Sequence, residues 1–304
     1  MIKMKNVLFR NSLIGPAPEL VPHIAISPFI LQNEGFDTRV EDIKAPHVPN
    51  RCTSIHIKCR EALYIALCDL HLQKDDIVTI LTTSGNFYVS GCVTKTIETL
   101  CRWNREITKE TKAILIIHEF GYAYQGMEEL KKYELPIIED CAHSYFTTDA
   151  HIGEVGDYVI YSLPKAFNMQ MGAIMYSKHE IDDTVSKDYK EYILQKLFEG
   201  ENMKDEQIAK RKNNYNYLCN SLSPIGIVPF FEMNKMTVPG VFLFRWLDDI
   251  DYHDLKEFMQ QSGVESSVFY GQKAFFIPVH QNLRKAELDY MISLLTYYYE
   301  TKVL

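Results

Sequence analysis

Lys165 stands just beyond a strand-like run, Tyr158–Leu163 (YVIYSL). Asp140 sits near the end of another, Pro136–Ala142 (PIIEDCA), with His143 three residues further on. In parallel α/β sheets ligands bind at the carboxyl ends of strands, so polar side chains at those ends carry functional meaning. Asp140 is open to two readings. It caps the next helix, or it faces low-dielectric surroundings that demand a compensating cation, of which a protonated pyridine ring is one. Lys165 is equally double. It is a solvated surface lysine, or an amine in a partly desolvated pocket, where it is easily deprotonated and nucleophilic. Ser162 offers a hydroxyl to a phosphate, and the turn at Pro164 aims Lys165 back over the sheet. His143 is a ligand contact or an ordinary surface or core histidine.

These residues need a layered scaffold, and the sequence around them has one. Ile77–Leu81, Ala113–His118, Pro136–Ala142, Tyr158–Leu163 and Ala173–Ser177 are short apolar runs, and the first three are nearly continuous in apolar residues. That pattern predicts strands buried on both faces of a parallel sheet. Helical patterns lie between them at Arg60–Leu72, Val89–Arg102 and Gly126–Tyr133, so the middle of the chain reads as βαβ units. After Asp182 the character changes. Helices are predicted at Lys187–Leu197, Asp205–Ser221, Tyr252–Ser262 and Arg284–Glu300, and strands at Val241–Trp246 and Ala274–Pro278. The prolines at 16, 18, 22, 28, 46 and 49 predict an irregular leading segment wrapped over the surface.

A chain of 304 residues exceeds the usual single core. The expected division is an N-terminal irregular segment over 1–50, a large α/β domain over 51–181 and a small C-terminal α+β domain over 182–304. The net charge of −8 argues against nucleic-acid binding, which needs excess Lys and Arg, yet leaves room for an anionic small molecule held by a few local donors. Seven cysteines without C-x-x-C spacing are expected to be reduced thiols in a cytoplasmic protein, and no metal site is expected. The leading MIKMKNVLFRNSLIG is a poor signal peptide, interrupted at Arg10, and no segment is long enough to cross a bilayer.

The run Thr111–Ser144 (TKAILIIHEFGYAYQGMEELKKYELPIIEDCAHS) resembles the DegT/StrS-type family of pyridoxal-phosphate (PLP)-dependent nucleotide-sugar aminotransferases. These carry a TKAIxxVHxYG stretch, a helix, and then LPVIEDAAQ or LPVIEDAAH. The resemblance implies that Asp140 pairs with the pyridine nitrogen, His143 lies near the cofactor's phenolic oxygen, and Lys165 is the Schiff-base lysine. Ile57–Leu67 (IKCREALYIAL) is similar to the family's SGRxALxxAL segment, whose helix N-terminus binds the cofactor phosphate; Cys59 replaces the small glycine and Arg60 offers a charge-assisted bond. Thr82–Val93 (TTSGNFYVSGCV) resembles the SxTFxAT stretch, which places Phe87 as the ring stacked on the pyridine and Ser90 near it, with Tyr88 as competitor. Ser262–Leu295 resembles the closing pattern, with His280 in a structural turn. The family's GxNxRM stretch is not recognisable, the Ser162-to-Lys165 spacing is two residues short, and Ala173 replaces the second of two glycines that begin at Gly172.

The implied fold is an α/β, mostly parallel-sheet PLP transferase (fold type I) with a smaller C-terminal α+β domain. The implied activity moves an amino group from an amino acid, by family habit glutamate, to a nucleotide-linked keto sugar in cell-surface polysaccharide biosynthesis, in a homodimer. The alternative is a PLP-binding regulatory or degenerate member without turnover. The family's dehydratase branch has histidine in place of the lysine, so Lys165 argues against it.

Overall fold

Residues 113–116 show how this chain builds its main layer. Ala113 and Leu115 pack into one apolar cluster while Ile114 and Ile116 pack into another, and all four are fully buried. Successive strand residues point to opposite faces, so a strand apolar at every position must be covered on both. The computed structural model describes residues 23–28 and 43–303.

The sheet has seven strands: β1 (Cys52–His56), β2 (Ile77–Thr82), β3 (Arg102–Asn104), β4 (Thr111–Ile117), β5 (Ile137–Asp140), β6 (Tyr158–Ser162) and β7 (Ala173–Ser177). Their order is β1-β7-β6-β5-β4-β2-β3. Neighbours pair in parallel from β6 through β3, while β7 runs antiparallel to both β6 and β1. Helices α1 (Cys59–Asp69) and α2 (Gly91–Glu98) cover one face through Leu63, Leu67, Val93 and Ile97. The opposite face receives α3 (Met127–Leu130) and α4 (Lys187–Asn202).

A second, four-stranded antiparallel sheet has the order β10-β11-β9-β8, from β8 (Ile227–Pro229), β9 (Phe242–Trp246), β10 (Ser267–Val268) and β11 (Phe275–Ile277). Helices α5 (Lys204–Leu222), α6 (Tyr252–Gln261) and α7 (Lys285–Lys302) pack on it, burying Leu218, Leu255, Met291 and Leu295 around Phe242, Phe244 and Phe275.

The expected strands are present, and four others were not foreseen: β1, β3, β8 and β10. All but β1 are too short to show a period, and β1 (CTSIH) is carried by pairing with β7 rather than by hydrophobicity. The helix expected over Val89–Arg102 stops at Glu98, because Arg102–Asn104 instead pairs with β2 at the sheet edge. Gly126–Tyr133 is one α-helical turn followed by a 3-10 turn, ended by Glu134 in the left-handed conformation. Pro16, Pro18, Pro22 and Arg10 lie outside the described residues. Residues 43–50 are irregular as expected, but Pro28 is buried rather than wrapped over the surface. Ile24 bridges Val264 beside the second sheet. Among the described residues no helix is long and apolar enough to cross a membrane.

Candidate active site

Because β1, β2, β4, β5 and β6 run the same way, their carboxyl ends share one rim of the sheet. Each end delivers a polar side chain there: Cys59 and Arg60 after β1, Ser90 on the segment after β2, Glu119 after β4, Asp140 and His143 from β5, and Lys165 after β6. All seven line one cavity of about 390 Å³. Its far wall comes from the second sheet and the turn after its strand Ser267–Val268, through Phe276, Phe269 and Tyr270.

Two buried residues pin the rim. His118 Nδ1 accepts the Tyr124 N–H at 3.1 Å, so Nε2 carries the proton and donates to Glu139 Oε2 at 3.0 Å. Glu139 also accepts backbone N–H groups from Gly153 (2.6 Å), Val155 (3.2 Å) and Gly156 (2.5 Å). With Cys141 these groups form a cluster of metal-ligand types. Both histidine nitrogens and both carboxylate oxygens are already engaged, so the cluster acts as a hydrogen-bonded brace. It fixes the ends of β4 and β5, and with them the next residue of each, Glu119 and Asp140.

Lys165 ends a 3-10 turn, Leu163–Lys165, with Pro164 at its centre. The turn is held from behind by Arg211 of α5, which is fully buried and donates to the carbonyls of Lys165 (2.9 Å) and Ala166 (3.1 Å) and to Gln281 Oε1 (2.7 Å). Burial lowers the Arg211 guanidinium to about 9, which still leaves it charged at neutral pH. Gln281 Nε2 adds a bond to the Ala166 carbonyl at 2.8 Å. Backbone thus engaged leaves the lysine side chain to the cavity.

His143 is half-buried, its ring 5.2 Å from that of Phe120. Burial, and then the positive charges of Lys165 and Arg211, hold its pKa well below the usual value, so the imidazole is neutral at pH 7. Gly240 makes room for it: a Cβ there would lie 2.9 Å from His143 Nδ1. Phe120 takes the left-handed conformation (φ 54°) and turns its ring against Phe269 and Phe276. Gly121 follows at φ 94°, where a Cβ would meet the Val238 carbonyl oxygen at 2.3 Å. Such backbone, rare outside glycine, costs about 1–3 kcal/mol and persists only where surroundings impose it.

At the other end, the α1 N-cap residue Lys58 makes no side-chain cap bond; its carbonyl accepts the Glu61 N–H at 2.9 Å, and among the described residues no capping side chain covers the amides of Cys59 and Arg60. Arg60 reaches over this turn and donates to Cys92 Sγ at 2.9 Å. Burial raises the Cys92 thiol, but hydrogen bonds from Arg60 and Ser90 and the charges of Arg60 and Lys165 outweigh it, leaving its pKa below the usual value. Ser90 is the N-cap of α2 and accepts the Cys92 N–H at 3.3 Å. Cys59 is held as a neutral thiol by burial, reinforced by Asp140.

Two of the expected site residues stand elsewhere. Phe87 is 73% exposed and does not line the cavity; the ring on that wall is Tyr88, packed 5.1 Å from Tyr270. The loop is anchored by Asn86, which donates to the Tyr270 carbonyl at 2.5 Å, and this leaves Phe87 pointing out. Ser162 ends β6 paired with Ala173 and is not among the lining residues. The sequence reading passed over Glu119, Arg211, Gly240 and the Phe120–Phe269–Phe276 wall. A carboxylate directly after the AILIIH run was the one local signal available for Glu119.

Residues 99–185 match the DegT/DnrJ/EryC1/StrS aminotransferase family. No curated protein is similar enough in sequence to match. Among solved structures, the aminotransferase TlmJ from Streptoalloteichus hindustanus is 15% identical, with a TM-score of 0.66 over 80% of this chain and 84% of that one. NtdA from Bacillus subtilis, solved with the cofactor PMP, is 16% identical, with a TM-score of 0.63 over 83% and 74%. The E. coli GDP-4-keto-6-deoxy-D-mannose-3-dehydratase, solved with hydrated PLP, is 14% identical, with a TM-score of 0.61 over 80% and 87%. These likenesses establish the fold, that of the mostly parallel type I PLP transferases. In its central segment, carried on that fold, the chain is similar to the DegT/DnrJ/EryC1/StrS aminotransferase family.

Proposed function

We propose that the cavity binds pyridoxal 5'-phosphate and that the protein is an aminotransferase, taking an amino group from an amino acid, glutamate by family habit, to a nucleotide-linked keto sugar. Cell-surface polysaccharide biosynthesis, a homodimer in the cytoplasm, and the division into 51–181 and 182–304 belong to the same proposal. The observation that carries it is the convergence of Lys165, Asp140 and Arg60 from separate strand ends on one cavity.

The donor set fits the cofactor chemically. An aldehyde needs an amine, and no side-chain hydrogen bond or ion pair engages the Lys165 ammonium among the described residues. A ring nitrogen needs a carboxylate, and among the described residues Asp140 accepts only the Ala142 N–H (2.9 Å). A phosphate needs donors, and Arg60, Cys59 and Ser90 line the cavity at the starts of α1 and α2, where no side chain caps α1.

PLP, when bound, supplies an electron sink that the protein itself lacks. Lys165 would hold the aldehyde carbon of that group, and its amine would serve to move a proton between the substrate carbon and that aldehyde carbon. Asp140 favours the protonated ring nitrogen by its opposite charge. His143, neutral, offers a hydrogen bond to an oxygen on the ring without adding positive charge near Lys165. Phe120, Phe269 and Phe276 give the cavity an apolar wall.

Visible absorbance with added PLP, before and after L-glutamate, tests the proposal on wild type and Lys165→Ala. A band that requires Lys165 and bleaches with glutamate is expected. A lysine-dependent band that no amino donor changes would favour the non-catalytic alternative, and absence of any band would sink both.

A further inference from the structure

Strand β3 pairs only with Ile77–Thr79, while β2 runs on to Thr82. Past Thr79 the backbone of β2 has no strand beside it on that edge, and a buried carbonyl there must find another donor. Arg105, the residue that follows β3, supplies it. Its guanidinium donates to the Ile80 carbonyl and, at 3.2 Å, to Thr82 Oγ1. The same guanidinium then reaches on to the Asn86 carbonyl, in the loop after β2.

Asn86 is 2% exposed and joins two distant parts of the chain. Its Nδ2 donates to the Tyr270 carbonyl at 2.5 Å, and its Oδ1 accepts the Tyr88 N–H at 3.3 Å. Gly271, at φ 86°, lets the two segments meet this closely, since a Cβ there would lie 2.2 Å from Asn86 Oδ1. The rings of Tyr88 and Tyr270 stand 5.1 Å apart and both line the cavity, whereas Arg105 and Asn86 are not among its lining residues. An arginine serving the sheet edge alone would stop at Ile80 and Thr82. The bond to Asn86 extends its reach to the residue that carries both tyrosines.

We propose that Arg105 is a positioning residue for the cavity: by holding the Asn86 backbone it fixes Tyr88 against Tyr270, and so sets the aromatic wall that a bound ring meets. That the ring is the pyridine of PLP rests on the proposed function. The tie from Arg105 through Asn86 to Tyr270 does not.

Two measurements separate this role from mere support of β2: hydrogen–deuterium exchange of the full chain without cofactor, and PLP dissociation constants from absorbance titration. Both are to be made on wild type, Arg105→Met, Tyr88→Ala and the double variant. Arg105→Met is expected to speed exchange in 84–90 and also in 269–272, with 113–116 unchanged. It is expected to weaken PLP about tenfold, as loss of a charged donor implies. In the Tyr88→Ala background the same change should alter PLP binding by less than about twofold, because residues that act as one unit are not additive. Arg105→Lys should recover part of the affinity, an ammonium being a poorer match for three acceptors than the planar fork. Faster exchange confined to 80–86, wild-type PLP affinity in Arg105→Met, or a full loss that persists without Tyr88 would overturn the inference. Should the methionine variant not fold, Asn86→Ala breaks the same tie and must show the paired exchange and the same dependence on Tyr88; failure of either overturns it. If wild type itself binds no PLP, the proposed function fails, and exchange at the two segments still decides for or against Arg105.

Discussion

His143 shows how much one residue depends on a neighbour that the sequence does not advertise. Its imidazole occupies space that exists because residue 240 is glycine, whose Cβ would lie 2.9 Å from Nδ1 and 3.1 Å from the histidine Cβ. The first is closer than real Cβ contacts and the second is tight, so Gly240→Ala must displace the ring or the strand entry. Overpacking of this kind costs about 1–3 kcal/mol. Gly240→Ala should therefore lower the free energy of unfolding in urea by that amount and weaken PLP in an absorbance titration. An alanine variant as stable as wild type, with the same PLP affinity, would mean that His143 has slack to move. The motif around Asp140 and His143 was legible because a strand end is local: the apolar run stops and the polar residues begin. Phe87 shows the limit of the same reasoning, since the loop's anchor at Tyr270, not the motif, decides that it is Tyr88 whose ring reaches the cavity.

Helix α5 does at the scale of an element what no strand-end residue does alone. Its polar composition reads as a solvated helix, yet Arg211 is fully buried and clamps the turn that carries Lys165. Arg211→Met would leave the carbonyls of Lys165 and Ala166 and the Gln281 side chain short of a donor. Leaving a buried acceptor without its donor costs about 1–3 kcal/mol. The variant should unfold at lower urea concentration and lose intensity in the PLP band although Lys165 is intact. Arg211→Lys should rescue only part, because an ammonium does not reproduce the planar fork. A stable methionine variant with a full band would show that Pro164 and the strand β6 suffice to orient the turn. Charged residues at helical spacing are ordinarily surface residues, and only the arrival of the 163–166 turn against α5 tells this arginine from its exposed neighbours.

Across the whole molecule, the leading segment is tied to the second sheet, and the tie is sensitive to acid. His280 is 5% exposed; its Nε2 donates to the Ala25 carbonyl at 2.9 Å and its Nδ1 accepts the Asn282 N–H at 3.3 Å, which requires the neutral ring. Burial, with Arg211 adding to it, lowers the His280 pKa from 6.5 to about 4. Between those values the unfolded chain takes up a proton that the folded chain refuses, so stability must rise with pH. The contribution is full above about pH 6.5 and is lost as the pH falls toward 4, on the order of 3 kcal/mol in all. Urea unfolding at pH 7, 5 and 4 should show this fall, and His280→Gln should flatten it. An equally steep fall in the variant would assign the acid sensitivity to other groups.

The order of apolar runs and helical periods, read without any structure, already determined an α/β protein with a mostly parallel sheet, because strands buried on two faces must be apolar at nearly every position. It also marked Asp140 and Lys165 as residues at strand ends, for the same local reason. The tertiary structure decided everything whose meaning lies in a distant partner. The antiparallel place of β7 beside β1, the cavity wall of Phe269 and Phe276, the clamp from Arg211 and the space left by Gly240 all join segments far apart in the chain. No periodicity within a segment records which other segment will pack against it. Glu119 lies between the two cases: its position after a strand is local, while its burial and the bond it accepts from Ser84 exist only in the folded chain.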